Sequence, residues 1–123
     1  MKARRWGRII NTSSVFAMKG SPNMAHYTMA KGAMLGLTKA LARELAQWNI
    51  TVNAIAPGLV ETDMTTVSFG GDRTEFERRA ALTPMGRLAT PRDIANAVAF
   101  LCTDDAALIT GQTILCDGGG YLH

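Results

Sequence analysis

Residues 13 to 31 read SSVFAMKGSPNMAHYTMAK, and within them Tyr27 and Lys31 stand four residues apart. On a helix that spacing puts both side chains on one face, so the Lys31 ammonium comes near the ring edge of Tyr27. A neighbouring cation favours phenolate over phenol, which makes Tyr27 a usable proton donor and acceptor around neutral pH. Ser14 precedes the tyrosine by thirteen residues, and its hydroxyl can hydrogen-bond a substrate oxygen beside it. In ITVNAIAPGLVET, Pro57 and Gly58 supply a tight turn and Thr62 a further hydroxyl, a combination suited to holding a flat amide-bearing ring. Each signal alone has an ordinary reading as a packed aromatic, a cap or a turn. Their joint occurrence in one strand-helix-strand order is what points to chemistry.

Such groups need rigid elements to position them. RIINTSS is a β-branched run ending in small hydroxyl residues, which predicts a buried strand opening into a loop at Ser14. From about 25 to 48, Tyr27, Ala30, Met34, Leu37, Leu41, Leu45 and Trp48 recur at steps of three or four, predicting a long helix with that stripe toward the core. Lys39 and Arg43 lie off the stripe, while Gly32, Ala33 and Gly36 would let another helix approach. ITVNAIAPG predicts a second strand stopped by Pro57-Gly58, and residues 59 to 83 a long loop with one short helix near RTEFERRAAL. Thr90 before Pro91 marks a helix start with Ile94, Val98 and Leu101 inward, and QTILC is a third strand before DGGGYLH. This order implies an α/β fold of parallel strands joined by helical crossovers. In such sheets ligands bind at strand ends, so Ser14, Tyr27, Lys31 and the 57–62 turn should converge on one crevice.

The chain has 123 residues, 47% of them hydrophobic and 19% charged, with no low-complexity stretch, as expected of one globular domain over 1–123. Lys2, Arg4, Arg5 and Arg8 account for the net charge of +3. No basic or aromatic pattern continues them, so a solvated segment is expected and no nucleic-acid partner. Neither a signal-peptide-like stretch nor a run of about eighteen apolar residues occurs, so no membrane association is expected and the chain reads as cytoplasmic. Cys102 and Cys116 form no CxxC and sit in apolar contexts, predicting buried thiols and no metal. His26 points about 100° round the helix from Tyr27 and reads as a surface or packing residue. Met18, Met24, Met29 and Met34 read as core fillers that, with Lys19, have a pocket-lining alternative, and the tail residues Leu122 and His123 cap the strand or reach a neighbouring subunit.

IINTSS, YTMAK, VNAIAPGLVETDM and PMGRLATPRDIANAVAFLCTDDAALITGQTILCDGGG together resemble the short-chain dehydrogenase/reductase family, most closely its beta-ketoacyl-acyl-carrier-protein reductase branch. The resemblance implies hydride transfer between a nicotinamide, NAD or NADP, and a small-molecule carbonyl or alcohol. It gives Ser14 the orienting of the substrate oxygen, Tyr27 the role of general acid and base, and Lys31 the tuning of Tyr27 and a contact to the nicotinamide ribose. Pro57, Gly58, Val60 and Thr62 match positions that line the nicotinamide, and the loop after Thr62 would be the substrate lid.

The family's Gly-rich turn and its NAD/NADP selector precede the matched segments, and its Asn-Asn-Ala-Gly segment and proton-relay asparagine have no counterpart here. The expected fold is therefore the C-terminal part of a Rossmann-type doubly wound parallel sheet, three strands with flanking helices, lacking the N-terminal dinucleotide-binding half. Asn11 and Asn53 read as local hydrogen-bonding residues, and DGGG at 117 to 120 does not replace the phosphate loop because it opens no helix. Two functions follow: an NAD(P)-dependent oxidoreductase, or a truncated non-catalytic module. In the second, the open sheet edge and the Gly32, Ala33, Gly36 face dock to a second copy or a full-length relative.

Overall fold

The computed structural model describes residues 1–122; His123, assigned above to the tail, lies outside the described residues. Three parallel strands form one sheet in the order β1-β2-β3: β1 (Gly7–Thr12), β2 (Ile50–Pro57) and β3 (Thr113–Cys116). The register pairs Gly7 with Ile50 through Thr12 with Ile55, and Ala54 with Thr113 through Pro57 with Cys116. Central β2 is buried from Ile50 to Ala56, as its continuous apolar run requires of a strand covered on both faces. Ile50, Val52, Ile55 and Leu101 are all at most 2% exposed; each such side chain contributes roughly 1.5–3 kcal/mol when withdrawn from water.

A short helix α1 (Phe16–Lys19) follows β1, and α2 (Ala25–Leu45) then crosses the sheet and returns the chain to β2 through a 3-10 turn at Ala46–Trp48. Asn49 closes that turn at φ 56°, in the left-handed region an asparagine tolerates. The inward face of α2 differs from the predicted stripe. Thr38, Ala42 and Leu45 are its buried residues, whereas Ala30 is exposed and Leu37 is 42% exposed. A threonine can hold the core position because its hydroxyl is satisfied twice: it donates to the Met34 carbonyl (2.7 Å) and accepts from Asn11 Nδ2 (2.9 Å). A β-carbon added at Gly32 or Gly36 would meet nothing within 4 Å, so no element of the described chain uses their small size.

The segment after β2 holds two helices where one was expected, α3 (Asp63–Ser68) and α4 (Arg73–Ala81). The second signal was Thr62, whose side chain caps α3 by accepting from Thr65 N. Thr90 begins α5 (Pro91–Leu101) with a complete capping box to Asp93. Arg87 forks onto the same carboxylate at 2.7 and 3.1 Å. Those bonds, with the Thr90 donors, hold the Asp93 carboxyl well below the usual carboxylate range. At the opposite end, Arg8, its side chain 3% exposed, and the Trp6 indole both donate to Asp104 at 3.1 Å, tying β1 to the turn after α5.

Asn53 acts locally as expected. Fully buried in β2, it donates to the Ile109 carbonyl (2.8 Å) and accepts from Gln112 N (3.0 Å), which seats the chain leading into β3. The cysteines depart from expectation, Cys102 being exposed at the end of α5 and Cys116 partly buried. Partial burial pushes the Cys116 thiol pKa up. Among the described residues no helix is long and apolar enough to cross a membrane, and no group of three or more His, Cys, Asp or Glu could hold a metal.

Candidate active site

The C-terminal ends of β1 and β2 are held side by side after their ladder stops, since Ser13 N donates to the Ile55 carbonyl (2.8 Å) and Val15 N to that of Pro57 (3.1 Å). This brings the two segments singled out from the sequence to one place. Ser14, 5% exposed, accepts from Phe16 N at 3.2 Å, which starts α1 and leaves the serine proton available to donate. Tyr27 lies in the first turn of α2, and the Lys31 ammonium stands 5.9 Å from its ring centroid. That ammonium also donates to the Thr12 carbonyl (3.0 Å), and Ser13 Oγ donates to the Lys31 carbonyl (2.8 Å). The Tyr27 hydroxyl has no hydrogen-bond partner among the described residues.

After β2 the chain turns sharply at Gly58, whose N–H donates to the Cys116 carbonyl (3.1 Å). The Asp117 carboxylate closes its own turn by accepting from Gly119 N (3.1 Å) and Tyr121 N (2.7 Å). Gly118 and Gly119 have φ of 65° and 82°, and no helix follows them among the described residues. The segment packs against Gly58, Thr83, Pro84 and Met85. From Val60 onward runs the segment expected above to be a lid. Its base is pinned by the Val60–Ala89 bridge, with Glu61 N donating to the Ala89 carbonyl (2.8 Å) and Ala89 N to that of Leu59 (3.2 Å). Thr62, predicted to meet a ligand amide, spends its hydroxyl on Thr65, through the cap and a 3.1 Å hydroxyl pair.

Gly70 and Gly71, both at positive φ (61° and 76°), separate α3 from α4. Phe69 and Phe76 hold the two helices together in a T-shaped contact at 5.0 Å. On α4, Glu75 accepts from Arg78 (2.7 Å) and Arg79 (2.6 Å), and those bonds lower its carboxyl to about 2.

One cleft of about 390 Å3 is lined by Ser14, Tyr27, Lys31, Pro57, Gly58, Val60 and Thr62, so all seven residues picked from the sequence meet there. Phe16, Met24, Met64 and Phe69 give it apolar walls; Met24 was foreseen as a pocket candidate, and Met64 and Phe69 belong to the loop after Thr62 expected to face the substrate. Lys19 lies outside this cleft over the Phe16 ring (5.0 Å), His26 is exposed, and Met29 is 73% exposed. Ser13 and Thr12, which hold Lys31, were missed because backbone carbonyl contacts leave no residue-type signature. A phenol, a hydroxyl donor and a cation at the mouth of an apolar cleft can polarise and protonate a carbonyl oxygen, or run the reverse. Tyr27, Lys31 and the turn at 57–62 are the residues that would hold the nicotinamide end of a dinucleotide.

The family profile described as enoyl-(acyl carrier protein) reductase matches residues 1–121. The chain is 47% identical over 122 residues to the 3-oxoacyl-acyl-carrier-protein reductase of Vibrio cholerae, covering 99% of this chain and 49% of that protein. To the Escherichia coli protein of the same name it is 46% identical over 122 residues, covering 99% and 49%. The chain thus spans about half the length of the curated relatives it matches. A solved short-chain dehydrogenase/reductase, glucose/ribitol dehydrogenase, from Brucella melitensis superposes with a TM-score of 0.87 at 40% identity over 94% of this chain and 46% of that one. An oxidoreductase of the short chain dehydrogenase/reductase family from Burkholderia thailandensis superposes with a TM-score of 0.90 at 33% identity, covering 98% and 47%.

Proposed function

The chain belongs to the short-chain dehydrogenase/reductase family, in the branch of the 3-oxoacyl-acyl-carrier-protein reductases, and on that premise we propose that it is the catalytic part of an NAD(P)-dependent oxidoreductase acting on a carbonyl or alcohol. The observation that carries this reading is the convergence of Ser14, Tyr27, Lys31 and the 57–62 turn on one cleft at the strand ends. When bound, the nicotinamide supplies the hydride chemistry. The chain's own residues supply the proton: in reduction Ser14 donates a hydrogen bond to the carbonyl oxygen, Tyr27 transfers its hydroxyl proton there, and Lys31 stabilises the phenolate left behind. In oxidation the phenolate takes the proton back. Phe16, Met24, Met64 and Phe69 give the substrate an apolar surface and keep water from the reacting oxygen.

The experiment is a titration of NADPH and of NADH into the purified chain, followed by fluorescence of Trp6 and Trp48. Saturable binding that Lys31→Ala weakens supports the proposal. Absence of binding by a folded chain refutes it for this chain.

A second reading is favoured by Met29 (73% exposed) and Leu37 (42% exposed) on the outward face of α2. On it the chain is a module that associates with a second copy or a full-length relative through that face. Light scattering separates the two readings, since a folded monomer that binds nucleotide excludes the second.

A further inference from the structure

We propose that Ser13, the neighbour of the serine assigned to catalysis, is a positioning residue that sets Lys31, and through it Tyr27. Ser13 is 2% exposed, and although it borders the cleft its hydroxyl proton is committed to the Lys31 carbonyl. Its groups join three elements at one point. The N–H donates to the Ile55 carbonyl (2.8 Å) at the end of β2, the Oγ donates to the Lys31 carbonyl (2.8 Å) on α2, and the chain itself is the exit of β1. One residue back, the Thr12 carbonyl accepts from Lys31 Nζ (3.0 Å). The result is a reciprocal clamp, in which the β1 exit holds Lys31 by its backbone through Ser13 and by its ammonium through Thr12.

The two bonds depend on each other. The helix backbone at Lys31 fixes the root of a long, flexible side chain, and only with that root fixed does the ammonium span back to Thr12 while staying 5.9 Å from the Tyr27 ring centroid. Removing the Ser13 hydroxyl leaves the fold's main contacts in place but frees this end of α2 from the β1 exit, lengthening the Lys31–Thr12 contact. The inference rests on the reading of Lys31 given above, yet its test needs neither cofactor nor turnover. Failure to bind NAD(P)H would overturn that reading and leave this result interpretable.

The test is the rate of reductive methylation at each of the four lysines, Lys2, Lys19, Lys31 and Lys39, read by peptide mass spectrometry on the whole chain and its Ser13→Ala variant. One lost hydrogen bond corresponds to roughly a five- to tenfold change in the population of the open form. Lys31 is therefore expected to react about five- to tenfold faster in Ser13→Ala, with Lys2, Lys19 and Lys39 unchanged. Should the alanine variant not fold, Ser13→Cys, which keeps the volume and weakens the donor, provides the same comparison. An unchanged Lys31 rate overturns the proposal, as does a common rise at all four lysines, which would show general loosening and no clamp.

Discussion

Gly58 and Asp117 approach so closely that a β-carbon on residue 58 would stand 2.6 Å from the Asp117 Cβ and 3.1 Å from its Cα. The contact is with the root of the Asp117 side chain and its backbone, which a rotamer change cannot clear. The turn that lines the candidate cleft is thus seated directly on the glycine-rich turn after β3. Gly58→Ala is expected to destabilise the chain by about 1–3 kcal/mol, as overpacking does, and to reduce nucleotide affinity along with it. Thermal melts compared with the NADPH titration check both effects. A variant with wild-type stability would show that the Asp117 turn yields freely.

Tyr27→Phe removes one hydroxyl that has no protein partner, so folding should be unaffected and the melting temperature should stay near wild type. Turnover of a carbonyl substrate, measured as nicotinamide absorbance, is expected to fall at least ~100-fold, the typical contribution of a positioned acid–base group. Equal rates in the two proteins would make Tyr27 a packing residue and remove the proposed mechanism.

The Glu75 carboxyl sits at about 2 against an ordinary 4.5, first because Arg78 and then because Arg79 donates to it. Its folded value lies below the unfolded one, so its support of α4 is complete above about 4.5 and is lost as pH falls through about 2. Amide protection factors in α4, measured across that window, are expected to fall before those of α2. Glu75→Gln should start low and show no such pH step. A step of equal size in the variant would assign it to another group. Added salt should weaken the effect, since both guanidinium groups are exposed.

Leu37 and Met29 present apolar surface on the outward side of α2. If that face is covered in solution by another chain, light scattering will report an assembly at micromolar concentration, and Leu37→Glu will shift it toward monomer by tenfold or more in dissociation constant. A wild-type chain that is already monomeric would contradict this.

The strand runs, the α2 and α5 spans and six of the seven cleft residues were legible from local rules: β-branched runs, helical spacing, a Thr-Pro start, a Pro-Gly stop; Val60 came only with the family resemblance. The face of α2 was not, since periodicity alone cannot weigh Leu37 against Thr38. A tertiary hydrogen bond from Asn11, together with the in-helix bond to the Met34 carbonyl, decides it. The capping role of Thr62 went unread for a related reason. Its hydroxyl could meet a ligand or cap a helix, and recognising α3 was the condition for choosing. The clamp at Ser13 was invisible because it uses carbonyl oxygens that every residue carries.

The bridge between Val60 and Ala89 has its own bearing on how such a site diversifies. Both ends of the segment between them are fastened to the scaffold and lie side by side, so what lies between is in effect an interchangeable cassette. Loops with neighbouring anchored ends tolerate replacement at little entropic cost. Changing α3 and α4 would alter the walls that Met64 and Phe69 give the cleft while Ser14, Tyr27 and Lys31 stay on β1 and α2. On the proposed function, part of the cleft's selectivity would then be carried by a stretch of chain separate from the one that carries Ser14, Tyr27 and Lys31.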